Sequence, residues 1–183
     1  MNLREEELSS EKVFEGKIID VEVREITLPN DQTATREVVL HRPFSAVIAI
    51  NDKQQMLLVE QWREPIKQIS FEIPAGMIDE TDASPLDAMK RELNEEGGYR
   101  ADFWEELAQY YISPGFTNEY CHLFYCDTLT KLEEKKSLDE DEFLETHWFN
   151  LEELKQMIAE GKINDGKTLY AITLWENMLH SGK

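Results

Sequence analysis

Basic residues, cysteines and long apolar runs are all scarce in this sequence of 183 residues. Lysine and arginine total 19 against 38 aspartates and glutamates, which gives a formal net charge of −19. A chain without a basic face does not hold nucleic acid or an anionic membrane by charge alone. The longest unbroken apolar stretch, Ala46 to Ile50, is far too short to span a bilayer. We therefore expect neither nucleic acid nor a membrane as a partner.

The placement of the two cysteines and the composition of the N-terminal segment indicate the cellular compartment of the protein. Cys121 and Cys126 lie in a strand-like segment at an offset that places them on opposite faces, so a disulfide between them is disfavoured. The opening segment MNLREEELSSEK is acidic and has no apolar stretch, so we expect neither a secretory signal nor a transit peptide. Hydrophobic residues make up 41% of the chain, which is enough for a folded core. These features predict a cytoplasmic protein of one domain, or one domain with a small appendage.

Alternating apolar residues and turn signals predict most of the strands. Residues 13–28 alternate with period two in places and predict one antiparallel strand, which ends at the turn beginning with Pro29. The same signals predict further strands near residues 35–41, 45–50, 56–61, 69–73, 106–112, 120–125 and 145–149.

Three helices are indicated by their capping residues. Ser84 caps the first helix, which ends at the glycine pair 97–98, and Asn150 opens the second, which ends at Gly161. Residues 167–179 form an amphipathic closing helix. Its apolar stripe comprises Leu169, Ile172, Trp175 and Leu179. Because strands, a helix, strands and helices follow in blocks, we predict an α+β fold rather than alternating βαβ units.

Three glutamates on the first helix form the most informative pattern. Glu92, Glu95 and Glu96 stand at i, i+3 and i+4, so one helix face carries three carboxylates. Such a cluster repels itself, whereas a divalent cation that prefers oxygen ligands reverses the sign of that interaction. Mg²⁺ fits an all-carboxylate site, with Mn²⁺ as the alternative. A solvated acidic face is the competing interpretation, and it is the usual one in so acidic a chain.

The residues around these glutamates favour the metal site. Residues 74–76, Pro-Ala-Gly, form a turn whose carbonyl groups can face the same point, and Arg91 can pair with a carboxylate. The segment RELNEEGGY at residues 91–99, with the glycine of that turn as its opening glycine, resembles the Nudix box of the Nudix hydrolases. Two departures exist: the opening glycine lies one residue too far from the arginine, and the loop glutamate is replaced by Asp82 or Ala83.

This resemblance implies a fold, a metal site and a reaction. The Nudix fold is a mixed β-sheet sandwiched between helices. The implied metal ligands are the Ala75 carbonyl and the side chains of Glu92, Glu95 and Glu96, while Arg91 and Glu95 are also implied in catalysis. The implied reaction is hydrolysis of a nucleoside diphosphate linked to another group.

Outside the box, nearly the whole chain resembles the ADP-ribose pyrophosphatase branch of that family. The resemblance is carried by EQWR at residues 60–63, FEIPAG at 71–76, SPGF at 113–116 and DGKT at 165–168. It implies Mg²⁺-dependent hydrolysis of ADP-ribose to AMP and ribose 5-phosphate. The candidate substrate-binding residues are Arg63, Glu72, Pro114, Gly115, Phe116 and Glu119.

Four of these six residues also have a simpler interpretation. Arg63 can bind a phosphate or the terminal ribose through its planar fork, or it can form a salt bridge with one of the many acids. Glu72 can accept hydrogen bonds from adenine or ribose, or it can be an exposed strand residue. The Pro114–Gly115 pair, taken alone, is an ordinary turn between strands.

An acidic segment, LDEDEF at residues 138–143, matches the loop that carries the general base in this branch. Glu140 and Glu142 have a longer reach than Asp141, so one of these two glutamates is the predicted base. A solvated acidic run is the competing interpretation. The four histidines, which show no metal-ligand spacing and are taken as structural, are His41, His122, His147 and His180.

The resemblance also implies a homodimer. Residues 1–42 would form a small antiparallel β unit that is exchanged between subunits and completes the substrate site, and residues 43–183 would form the Nudix domain. Phe14, Ile19 or Arg36 would reach the adenine site of the partner, although core or dimer packing is the preferred interpretation of the first two.

Three other functions compete with ADP-ribose hydrolysis. A Nudix hydrolase could act on another nucleotide sugar or a dinucleotide, and a Nudix-type sensor could bind ADP-ribose without cleaving it. An acidic interaction protein with a coincidental box is the third, and the in-register match weighs against it. The complete glutamate set weighs against the sensor.

Overall fold

The computed structural model describes residues 2–134, 136–137 and 142–182. This part of the chain forms an α+β fold, as the sequence predicted, and none of its helices is long and apolar enough to cross a membrane. The strands are β1 (Glu6–Glu15), β2 (Ile19–Thr27), β3 (Thr33–His41), β4 (Phe44–Ala49), β5 (Met56–Arg63), β6 (Gln68–Glu72), β7 (Ala75–Met77), β8 (Tyr99–Tyr111), β9 (Tyr120–Lys131) and β10 (Leu144–Phe149). The helices are α1 (Pro85–Glu92), α2 (Leu151–Ala159) and α3 (Gly166–Ser181).

The chain divides into two compact units. One comprises residues 1–44 and 109–121, and the other comprises residues 45–108 and 122–183. The first unit therefore contains the turn between β8 and β9 as well as the N-terminal strands. The division into domains after residue 42 stays a prediction.

The first unit contains an antiparallel sheet in the order β1-β2-β3. The single strand predicted over residues 13–28 was wrong, because the chain turns between Glu15 and Ile19. At this turn the Gly16 amide donates to the Ile19 carbonyl at 3.0 Å, and a Cβ on Gly16 would stand only 2.7 Å from the Phe14 ring. Glycine therefore allows a tight turn that the apolar alternation does not reveal.

The remaining strands form two sheets, in the orders β10-β5-β6 and β7-β4-β9-β8. Strand β4 is buried along its whole length. Helix α1 packs Met89 onto this interior, and Leu93 extends the contact. The buried cluster comprises Val47, Ala49, Leu57, Met89, Leu93, Phe124 and Cys126. Both cysteines are buried free thiols.

The helix caps agree with the sequence, whereas the last turn of the box helix differs from a regular α-helix. The Ser84 side chain accepts from the Asp87 amide, and Asn150 forms the predicted capping box with Glu153. The α-helical part of the box helix ends at Glu92 and continues as a π-helical turn over Leu93–Gly97, which a left-handed Gly98 (φ 72°) closes.

Helix α3 buries a stripe rotated from the predicted one. Leu179, which was predicted on the apolar stripe, is 43% exposed. Thr168 lies inside instead, because its hydroxyl accepts a buried hydrogen bond of 2.9 Å from the Ile73 amide. The residues buried by α3 are Thr168, Ala171, Ile172 and Trp175.

Candidate active site

The first two residues of β7 contact two of the box glutamates. The Ala75 amide donates to Glu96 Oε2 at 3.1 Å. Gly76 lies against Glu92 so closely that a Cβ on this glycine would stand 2.0 Å from the Glu92 carboxyl carbon. Ala75, Glu92 and Glu96 are thus brought together, as the metal-site prediction requires.

Arg91 holds the other side of the box. Its Nη1 donates to Glu92 Oε1 at 2.7 Å and to Glu95 Oε2 at 3.0 Å. Its Nη2 donates to Asp82 Oδ2 at 2.9 Å and to the Met77 carbonyl at 3.1 Å. The arginine therefore ties the helix to the preceding loop. Asp82, the loop residue whose role the altered box position left open, is a partner of this arginine.

Burial of the Glu92 and Glu96 carboxylates outweighs the positive charge near them. Burial raises the pKa of Glu92 to about 7 even though Arg91 is beside it, and burial also raises the pKa of Glu96 well above its ordinary range. In the part of the chain that the structure describes, the Ala75 amide is the one hydrogen-bond partner of the Glu96 side chain, which is 3% exposed as a residue. Two buried carboxylates with so little compensation fit a divalent cation.

Of the two glutamates predicted as the general base, only Glu142 is among the described residues. Glu142 is an exposed residue whose negative charge adds to the effect of burial on the pKa of Glu92 and Glu96. It is therefore within electrostatic reach of the box. Glu140, together with its neighbours Asp139 and Asp141, lies outside the described residues.

Arg63 and Glu72 bind one another in the structure. Arg63 Nε and Nη2 donate to the two carboxylate oxygens of Glu72, each at 2.7 Å, and Lys167 contributes a third bond. Glu72 is buried rather than an exposed strand residue. Burial alone would raise its pKa, but the Arg63 hydrogen bonds and the Lys167 charge outweigh that effect and lower the pKa to about 2. The substrate-binding roles of both residues stay predictions.

This pairing predicts a pH-dependent contribution to stability. A folded pKa of about 2, against an ordinary 4.5, corresponds to about 3 kcal/mol at neutral pH. The contribution is complete above pH 4.5 and is lost as the pH falls towards 2. Glu72→Gln should therefore lower the free energy of unfolding by about that amount at pH 7, measured by denaturant titration, and by less in acid.

The exposed pair of Glu64 with Lys67 provides the matched control. Glu64→Gln removes a carboxylate from a solvated ion pair, so it should leave the unfolding free energy unchanged within error. Equal stabilities of the parent and Glu72→Gln at pH 7 would show that the buried pairing contributes nothing.

The other substrate candidates lie in the first unit, on the turn between β8 and β9. The Phe116 amide donates to the Ser113 carbonyl at 3.1 Å, and the Phe116 carbonyl accepts from Val39 at 2.8 Å. A Cβ on Gly115 would meet open space, and Phe116 is 55% exposed. The Glu119 carbonyl accepts from the Ile112 amide at 3.1 Å. The substrate roles of Pro114, Gly115, Phe116 and Glu119 stay predictions.

One group of potential metal ligands was missed from the sequence. Among the described residues, Glu60, Glu145 and His147 form a set whose donor atoms all lie within 4.8 Å of one another. The sequence analysis took all four histidines as structural. His147 instead lies beside two carboxylates, where it could bind a metal ion. The available signal was the spacing of Glu145 and His147, which places both on one face of a predicted strand.

Comparison with known proteins supports the family that the box indicates. A family model described as NUDIX domain matches residues 39–171. An ADP-ribose pyrophosphatase of Bacillus subtilis (strain 168) is 39% identical over 93% of this chain and 92% of its own length. A methanol dehydrogenase activator of Bacillus methanolicus is 39% identical over 92% and 90%, respectively. The crystal structure of an ADP compounds hydrolase has the same fold, with a TM-score of 0.88 at 20% identity over 100% of this chain and 98% of that one. The chain therefore belongs to the Nudix hydrolase family.

Proposed function

We propose that this protein hydrolyses the diphosphate of ADP-ribose to AMP and ribose 5-phosphate in a Mg²⁺-dependent reaction, with Mn²⁺ as an alternative ion. The observation that carries the proposal is the pair of buried carboxylates, Glu92 and Glu96, at the Ala75–Gly76 segment. The B. subtilis relative, named as an ADP-ribose pyrophosphatase, supports the choice of substrate.

The box residues are suited to bind the ion, and Arg91 is suited to orient its ligands. Ala75, Glu92, Glu95 and Glu96 would be its ligands. A bound Mg²⁺ would neutralise phosphate charge and lower the pKa of a water molecule. Arg91 fixes Glu92 and Glu95 relative to each other through a single Nη1 atom, so their orientation is set before substrate arrives. Glu142 or Glu140 would accept the proton of the attacking water.

Arg63 retains a donor for the substrate. Its Nε and Nη2 are used on Glu72, whereas Nη1 makes no hydrogen bond within the described residues. The Arg63 side chain is 42% exposed, so this nitrogen can reach a phosphate or a ribose hydroxyl. Glu72 would then act by orienting the arginine.

A predicted consequence concerns Gly76. Gly76→Ala should lower kcat by about a hundredfold, because the added methyl group displaces the Glu92 carboxylate from its place beside Gly76. The carboxylate ends a flexible side chain, so we expect the fold to persist. Steady-state kinetics and a thermal melt measure the two effects.

Gly166→Ala is the matched control, since a Cβ at that position would meet nothing within 4 Å. It should keep the parent kcat. A Gly76→Ala enzyme as fast as the parent would mean that Glu92 need not occupy the position seen in the structure.

The choice of substrate is tested by comparing the rates at which the protein hydrolyses several nucleoside diphosphate compounds. The initial rate is measured with ADP-ribose, a GDP-linked sugar and a dinucleotide, each with Mg²⁺ and with chelator. The proposal expects ADP-ribose to give the highest kcat/KM and every rate to vanish without metal. A higher kcat/KM for another compound would reassign the substrate and leave the family unchanged.

A regulatory role is the second candidate, because a relative of equal identity is named as a methanol dehydrogenase activator. A non-catalytic sensor would bind ADP-ribose without turnover. Turnover by the isolated chain would exclude that form of the hypothesis, whereas tight binding with no product would favour it.

We also propose a cytoplasmic homodimer. Strand β1 is exposed along its whole length, and it carries large apolar side chains at Leu8, Val13 and Phe14, each more than half exposed. Phe14 is thus not packed in the core of its own chain. An exposed group of large apolar side chains is typical of a surface that binds another protein chain. Light scattering should give the mass of a dimer, and a monomer at working concentration would contradict this prediction.

A further inference from the structure

Strands β5 and β10 place two carboxylates directly opposite one another. Glu60 and Glu145 are register partners in this antiparallel pair. His147, two residues further along β10, lies on the same face as Glu145. His147 Nε2 stands 2.8 Å from Glu60 Oε2, and the donor atoms of all three residues lie within 4.8 Å of one another.

This arrangement is unfavourable without a positive charge. Like charges directly opposite on neighbouring strands destabilise a sheet. Within the described residues, neither Glu60 nor Glu145 forms an ion pair with a lysine or an arginine, although the chain contains 19 of these residues. His147 is the one basic group beside the two carboxylates in that part of the chain.

The His147 ring is held by neighbouring aromatic rings, but its Nε2 atom lacks a regular hydrogen bond among the described residues. Its ring lies 6.0 Å from the rings of both Phe71 and Phe149, which restrict its orientation. The Nε2 atom is shielded from solvent, and within the part of the chain that the structure describes it forms no hydrogen bond of regular geometry, although a Glu60 oxygen lies close to it. A shielded imidazole nitrogen that faces two carboxylates is the donor arrangement of a metal ligand.

We propose that Glu60, Glu145 and His147 bind a divalent transition-metal ion of the Zn²⁺ class, at a site separate from the box glutamates. One imidazole nitrogen and two carboxylates give three protein ligands and leave a coordination position open. The side chains of Trp62, Ile69 and Phe143, which are exposed, line a groove beside Glu60 and Glu145 through which an ion can enter. The bound ion would tie β10 to β5.

The test is a zinc titration of the metal-free protein in excess Mg²⁺, with a coloured chelator competing for zinc. The parent should bind one Zn²⁺ through the cluster. His147→Gln should weaken binding at least about a hundredfold, because even the residues that support a metal ligand contribute 10- to 100-fold to affinity. Zn²⁺ should also raise the melting temperature of the parent but not that of the variant.

Three further variants make the result decisive. His122→Gln is the control, since His122 contacts Glu106 at 2.9 Å but belongs to no three-donor set in the described chain, and it should bind Zn²⁺ as the parent does. Glu96→Gln should also keep zinc affinity. Glu145→Gln changes an exposed residue, and it should weaken binding even if His147→Gln fails to fold. Zinc binding lost in Glu96→Gln but kept in Glu145→Gln would overturn the proposal.

Discussion

Glu96→Gln is expected to lower kcat/KM for ADP-ribose by at least about a thousandfold without loss of stability. A metal ion contributes several kcal/mol to stabilising the transition state, and each 1.36 kcal/mol is a factor of ten in rate. Burial raises the pKa of Glu96, so its charged form is costly in the folded protein and a neutral amide relieves that cost. A glutamine oxygen can still accept the hydrogen bond from the Ala75 amide.

Kinetics and a denaturant titration on the same preparation separate the two effects. Glu80→Gln, an exposed change in the neighbouring loop, should leave both activity and unfolding free energy at parent values. The contrast with Glu72→Gln is informative, because that variant should lose stability while Glu96→Gln should not. Parent-like hydrolysis by Glu96→Gln would remove this residue from the metal site.

Glu142→Gln or Glu140→Gln, but not both, should lower kcat by at least about a hundredfold. A general base contributes about 10² to 10⁴ in rate, and it acts on water rather than on the substrate, so KM should change little. Glu142 is exposed and contributes its charge at Glu92 and Glu96, which favours it as the base. Steady-state kinetics on the two variants decides between them.

Asp139→Asn is the control in the same acidic segment and should be nearly neutral. If all three variants stay within a few-fold of the parent, the base lies elsewhere. Glu95 and Glu119 are then the next residues to replace.

Features encoded by neighbouring residues were predictable from the sequence. The caps at Ser84 and Asn150 depend on a side chain and an amide three residues away, and both are confirmed. The box glutamates share a helix, so their common face follows from helical periodicity. The box itself identified the family, which the family model confirms.

Features that depend on distant residues or on the absence of a pattern were not predictable. Strand β1 has no regular apolar alternation because it is exposed on both faces, so nothing in its sequence separated it from β2. Arg63 was expected to pair with some acid or with substrate, but only the β5–β6 register brings it to Glu72. Glu60 likewise meets His147 only through the pairing of β5 with β10.

The most direct test of the proposed activity is product analysis. The purified protein is incubated with ADP-ribose and Mg²⁺, and the products are separated by chromatography. The proposal predicts AMP and ribose 5-phosphate in equal amounts, with neither formed when chelator replaces Mg²⁺. Intact ADP-ribose after prolonged incubation with Mg²⁺ or Mn²⁺, or products other than these two, would contradict it.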